Sequence, residues 1–72
     1  MTFVEARLEF QSAVFAFVSR RINPLEEAED LTADVFFEAF RHWRRLRGSP
    51  KLWLFGIARR KIAASANTCP IP

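Results

Sequence analysis

Residues Glu26 to Arg60 read EEAEDLTADVFFEAFRHWRRLRGSPKLWLFGIARR, and nothing in this stretch alternates apolar and polar residues as a half-buried strand would. The spacing is helical instead. Ala28, Leu31, Val35, Ala39 and Leu46 recur at threes, fours and sevens, and Phe36, Phe40 and Trp43 form an adjacent stripe. Together they make one wide apolar face. Downstream, Leu54, Phe55, Ala58 and Ile62 share a face, with Trp53 and Ile57 on a neighbouring stripe. Between the two helical patterns lies Gly48, where a left-handed cap residue belongs, followed by Ser49-Pro50, an N-cap residue and a proline suited to a first helical turn.

Working outward, Asn23-Pro24 repeats the cap-then-proline signal at the start of the second pattern. Thr2 followed by Glu5 fits a capping box, so a first helix begins near Phe3 and ends near Ile22. Its apolar arc is broad: Val4, Leu8, Phe15, Val18 and Ile22 on one side, with Phe3, Phe10, Val14 and Phe17 beside them. The reading is all-α, a three-helix bundle with helices over about 3–22, 24–46 and 50–66, the first two forming an antiparallel hairpin. Residues 1–66 form one domain and residues 67–72, which contain two of the four prolines, an irregular tail.

The composition of the 72 residues excludes several classes. Half are hydrophobic, including eight Phe and two Trp, which is too apolar for a disordered tail. The longest apolar run, Ala13 to Val18, falls far short of the roughly 20 residues that span a bilayer, so no membrane insertion is expected. Met1 to Glu5 lacks the basic region of a signal peptide. A single Cys69 leaves no internal disulfide and points to a reducing cytoplasm, and one Cys with one His42 makes no Cys/His zinc site. No Ser/His/Asp set and no glycine-rich phosphate loop is present, so neither an enzyme nor a cofactor is expected; His42 reads as a partly packed side chain near the bundle surface.

The net charge of +3 conceals an asymmetry. Residues 1–38 hold all eight acids against three arginines, whereas residues 39–72 hold eight basic residues and no acid. Opposite the core face of the second helix stand Glu27, Asp30, Asp34 and Glu38. They read either as a solvated face or as an acidic ridge for a basic partner. Phe37, well off the core stripe and next to two carboxylates, favours the ridge, since an aromatic with a charged rim is typical of a binding hot spot. Arg41, Arg44, Arg45, Arg47 and Lys51 cluster around the end of that helix, and Arg59, Arg60 and Lys61 are consecutive in the next. Complementing a helix dipole explains two or three of these, not eight. Trp53 and Arg60 lie seven apart on one stripe, and stacking plus positive charge is the usual equipment for single-stranded nucleic acid.

The run Glu26 to Arg60, with VFAFVSRRI (Val14 to Ile22) before it, resembles region 2 of bacterial sigma factors of the extracytoplasmic-function group. Two blocks carry the resemblance: Ala28-Glu29-Asp30-Leu31 with Val35-Phe36, and Trp53-Leu54-Phe55 with Ile57-Ala58-Arg59. It implies a non-enzymatic domain that docks on the clamp helices of the largest subunit of RNA polymerase core and reads and helps open the −10 promoter element, holding a flipped base of the non-template strand. By position, Asp30, Ala33, Asp34 and Phe37 fall on the polymerase-facing surface, and Glu38 continues that ridge. Leu46, Arg47, Ser49, Lys51, Arg60 and Ala64 fall around the −10 pocket, and Arg44, Arg45 and Lys61 add charge to it. The chain departs from many relatives at Ala33, where they carry Gln, and at Arg60, where they carry Asn. Nothing in the 72 residues resembles the helix-turn-helix domain that reads the −35 element. Three readings stay open: a promoter-recognition domain, a non-initiating interaction module that keeps only the surface for polymerase or for an anti-sigma factor, and a self-associating helical bundle.

Overall fold

Thr2 and Glu5 start the first helix by satisfying each other's backbone: the Glu5 N–H donates to Thr2 Oγ1 (3.2 Å) and the Thr2 N–H donates to Glu5 Oε1 (2.8 Å). That backbone hydrogen bond, with help from the Thr2 hydroxyl, holds the Glu5 carboxyl below its ordinary pKa. The computed structural model describes residues 1–65 and shows α1 (Phe3–Ser19), α2 (Leu25–Arg41), a 3₁₀ turn (Trp43–Arg45) and α3 (Pro50–Ala64), with no strand among the described residues. The three-helix reading holds. The expected tail at 67–72 lies outside the described residues.

Helix boundaries differ from expectation at four places. α1 stops at Ser19 rather than Ile22, and the N–H groups of Arg21 and Ile22 both turn back onto the Val18 carbonyl at 3.0 Å. Ile22 is nonetheless buried and pins the turn to the core. Pro24, not Asn23, occupies the N-cap position of α2, with an extended backbone and no side-chain cap. The third difference is the largest. α2 ends at Arg41, five residues before Leu46, and the chain tightens into the 3₁₀ turn through Arg45 N–H to His42 O (2.8 Å) and Leu46 N–H to Trp43 O (3.1 Å). Tertiary burial accounts for this. Trp43 folds back between Phe3 of α1 and Trp53 of α3, edge to face with both at 5.6 and 5.8 Å between centroids. α3 begins as read, with Ser49 Oγ accepting from the Leu52 N–H (3.4 Å) and Pro50 in the first turn, but ends at Ala64 rather than near residue 66, because Ser65 is already extended.

Phe3, at the start of α1, packs on Phe40 at the end of α2 and on Trp43 in the turn that follows, so α1 and α2 run antiparallel. The core is Val14, Val18 and Ile22 against Ala28, Val35, Phe36 and Ala39, closed by Leu54, Ile57, Ala58 and Ile62. Each fully buried Val or Leu contributes about 1.5–3 kcal/mol. Thr32, the one buried polar side chain among the described residues, is satisfied by donating its hydroxyl to Ala28 O at 2.7 Å. Val4, Leu8 and Phe40, read as core-facing, are exposed instead. The two neighbouring helices cover α1 along Phe3, Phe10, Val14, Phe15, Phe17 and Val18, which leaves Val4 and Leu8 facing solvent.

Candidate nucleic-acid and partner interfaces

α2 carries its outward side chains on a regular helix with a buried opposite face, so their direction is fixed by the core. Asp30, Ala33, Asp34 and Phe37 are all exposed, and Phe37 has 62% of its surface free. The Arg41 guanidinium lies 5.9 Å from the Phe37 ring centroid, which gives the aromatic a cationic neighbour. Ala33 and Phe37 also border a groove between α1 and α2 of about 620 Å³, floored by Phe3, Phe15 and Phe36 and flanked by the exposed Leu8 and Phe40. This groove is hidden at the level of sequence, where Leu8 and Phe40 fall on apolar stripes that look like core; an apolar arc wider than two neighbours can cover is the signal that exposes it.

The basic turn is built by the early end of α2. Gly48 adopts φ +75°, the left-handed conformation that glycine accepts without strain, and the chain reverses there. Arg44, Arg45, Arg47, Ser49 and Lys51 are exposed around it, Leu46 is half-buried, and the four cations make no ion pair among the described residues. Trp43 in this segment and Trp53 in α3 belong to an aromatic cluster with Phe3 and Phe40, linked by edge-to-face contacts of 5.3 to 5.8 Å. His42 is half-buried beside it, as expected. Leu52, 74% exposed at the start of α3, adds an apolar side chain that helical spacing alone does not single out.

The remaining expected nucleic-acid residues sit elsewhere. Arg60, Lys61 and Ala64 are in the second half of α3, which runs back along α2, so Arg60 is about 15 Å of helix beyond Pro50. There the basic helix meets the acidic ridge. Lys61 and Ala64 line a recess with Glu27, Asp30, Leu31 and Asp34. Glu38 is half-buried and turned toward α3. Its Oε2 accepts from Arg60 Nη2, and its Oε1 lies 3.3 Å from Lys61 Nζ. The structure therefore exposes Asp30, Ala33, Asp34 and Phe37 on two adjoining edges of α2, with Ala33 and Phe37 bordering the α1–α2 groove and Asp30 and Asp34 bordering the recess beside Lys61. Glu38 continues the Asp30 and Asp34 stripe but is half-buried against α3, and the basic set divides into a turn without ion pairs among the described residues and a paired helix segment. Asp30 and Asp34 make no ion pair among the described residues.

Among the described residues no cluster of three or more His, Cys, Asp or Glu side chains could hold a metal ion, and no helix is long and apolar enough to cross a membrane. The arrangement offers recognition surfaces: carboxylates and an aromatic on the exposed side of α2, and a cationic turn that includes the half-buried Trp43 at one end of the bundle. The family model for sigma-70 region 2 matches residues 8–65. No curated protein and no solved structure matches the chain.

Proposed function

Because the chain belongs to the sigma-70 region 2 family, a transcription-initiation factor domain that works with RNA polymerase core and promoter DNA and is not an enzyme, we propose that it is the −10 promoter-recognition domain of a bacterial sigma factor of the extracytoplasmic-function group, acting in the cytoplasm. On this reading residues 1–66 are the domain. Asp30, Ala33, Asp34 and Phe37 dock on the clamp helices of the largest polymerase subunit. Arg44, Arg45, Leu46, Arg47, Ser49 and Lys51, with Arg60, Lys61 and Ala64, line the path of the non-template −10 strand. The observation that carries the reading is the division of one small bundle into an exposed acidic and aromatic face and an acid-free cationic turn.

The division of labour follows from the chemistry. A carboxylate rim around Phe37 suits a basic helical partner, and its charges steer encounter while the aromatic supplies buried area. The turn cations neutralise phosphates and hold a single strand in place without reading its sequence. Trp43 and Trp53 lie close enough to the turn to support an unstacked base. The test is a pair of binding measurements on the folded chain, one with RNA polymerase core and one with a single-stranded −10 oligonucleotide. Binding to both supports the reading, and binding to neither sinks it.

One observation favours a second reading. Glu38 occupies Arg60 and Lys61, two of the cations assigned to DNA. That suits a non-initiating interaction module that keeps only the polymerase or anti-sigma surface. Polymerase binding with no affinity for the −10 strand would select it.

A further inference from the structure

The Glu38 carboxylate reaches across from α2 to two consecutive cations of α3, one for each of its oxygens. The contact joins residues 22 apart in sequence and is the only inter-helix ion-pair cluster among the described residues. Its three members are not buried: the Arg60 side chain is 66% exposed, and those of Glu38 and Lys61 are 24% and 28% exposed. An ion pair so open to water adds little to stability. Its consequence falls on what Arg60 and Lys61 can bind. The neighbouring Arg59 is exposed and has no ion pair among the described residues, so the carboxylate acts on two of the three consecutive cations and leaves the third available.

We infer that Glu38 is an intramolecular competitor for phosphate: it holds Arg60 and Lys61 out of polyanion binding, and so leaves nucleic-acid contact to the Gly48 turn and Arg59 until a strand displaces it. This rests on α3 facing nucleic acid in the proposed function. The geometry gives the competition a local origin. Asp34 lies one helical turn before Glu38 and borders the Lys61 recess, yet forms no ion pair among the described residues. Removing the Asp34 charge changes the general field of α2 by the same unit without freeing a paired cation, so the two acids separate competition from field.

The experiment uses the full chain, with Glu38→Gln, Asp34→Asn and the triple variant Glu38→Gln/Arg60→Ala/Lys61→Ala, each checked for helical content by circular dichroism. Two probes are used: elution from immobilised heparin against salt, and fluorescence anisotropy with a labelled single-stranded −10 oligonucleotide. Freeing two cations adds up to two contacts, so Glu38→Gln steepens the slope of log K against log salt by about 1.4 at roughly 0.7 per single-strand contact. It binds the strand on the order of tenfold more tightly at about 50 mM salt, and that advantage shrinks about sevenfold between 50 and 200 mM. Asp34→Asn shows a smaller gain with an unchanged slope, and the triple variant loses the gain. The inference is overturned if Glu38→Gln matches wild type on both probes, if Asp34→Asn gains as much, or if the triple variant keeps the gain. If the oligonucleotide binds to no variant while Glu38→Gln still elutes later from heparin, the competition stands and the promoter reading fails.

Discussion

Replacing Asp34 by Lys and Phe37 by Ala separates binding from folding more sharply than any other change on α2. Phe37 is 62% exposed, so its truncation removes little buried area. The stability it does lose comes from the Arg41 contact at 5.9 Å, about 0.5 kcal/mol for an exposed cation over a ring. Asp34 makes no ion pair among the described residues, and a lysine there meets the acids Asp30 and Glu38 one turn away on either side, which offsets part of any cost. The folded bundle therefore shifts by less than about 1 kcal/mol, which is a few degrees in thermal midpoint for a chain of this size. In a complex the same two residues become the centre of the contact. Truncating an aromatic anchor costs about 2 kcal/mol or more, and reversing a charge against a basic partner adds an unfavourable contact. The double variant should bind RNA polymerase core at least about 30-fold more weakly, with most of the loss in a faster off-rate. Surface plasmon resonance on immobilised core, with circular dichroism melts of both proteins, reads the two quantities separately. Unchanged polymerase affinity in a folded double variant would refute the reasoning and return the acidic ridge to a solvated face.

Three further outcomes follow from the same structure. Leu54→Ala, at a side chain with no exposure, should cost about 2–4 kcal/mol and leave a bundle this small largely unfolded near 37 °C, as a thermal melt will show. Glu5 is held ionised by Thr2, so its pKa is lower in the folded than in the unfolded chain; its contribution is present above the ordinary carboxylate value and is lost as pH falls through the depressed one. The thermal midpoint of wild type should fall on acidification below about pH 4.5 more than that of Glu5→Gln, and equal pH profiles would refute the assignment. Arg44→Ala should flatten the salt dependence of single-strand binding by about 0.7, equally for all sequences, because an exposed unpaired arginine at the turn contacts phosphate rather than a base.

Local signals in the sequence were legible where a short-range hydrogen bond decides the outcome. Thr2 with Glu5 and Ser49 with Pro50 start α1 and α3 where their capping chemistry says they should. Asn23-Pro24 marked the right break but not the right cap, since the chain enters α2 one residue later with no side-chain help. The end of α2 was not legible. Apolar spacing carries on to Leu46, and only the packing of Trp43 between Phe3 and Trp53 stops the helix at Arg41. The outward face at Asp30, Asp34 and Phe37 follows from helical spacing alone, because it lies opposite the buried stripe. Glu38 shares that spacing, yet it points to α3. A helical pattern shows which side of a helix is polar, whereas the neighbour that covers the edge of that side comes from the path of the chain 22 residues later. The same limit hid the α1–α2 groove, since Leu8 and Phe40 look like core until the number of covering helices is known.

The central claim is that this bundle holds a single strand at its cationic turn. Arg44, Arg45, Arg47 and Lys51 are the four exposed cations there without an ion pair among the described residues. Titrating the folded chain into a labelled single-stranded −10 oligonucleotide at a series of salt concentrations tests it directly. Four phosphate contacts predict weak binding with a log–log slope of roughly −3, at about 0.7 per contact. No binding at any salt below about 50 mM, from a chain that still binds polymerase, would contradict it.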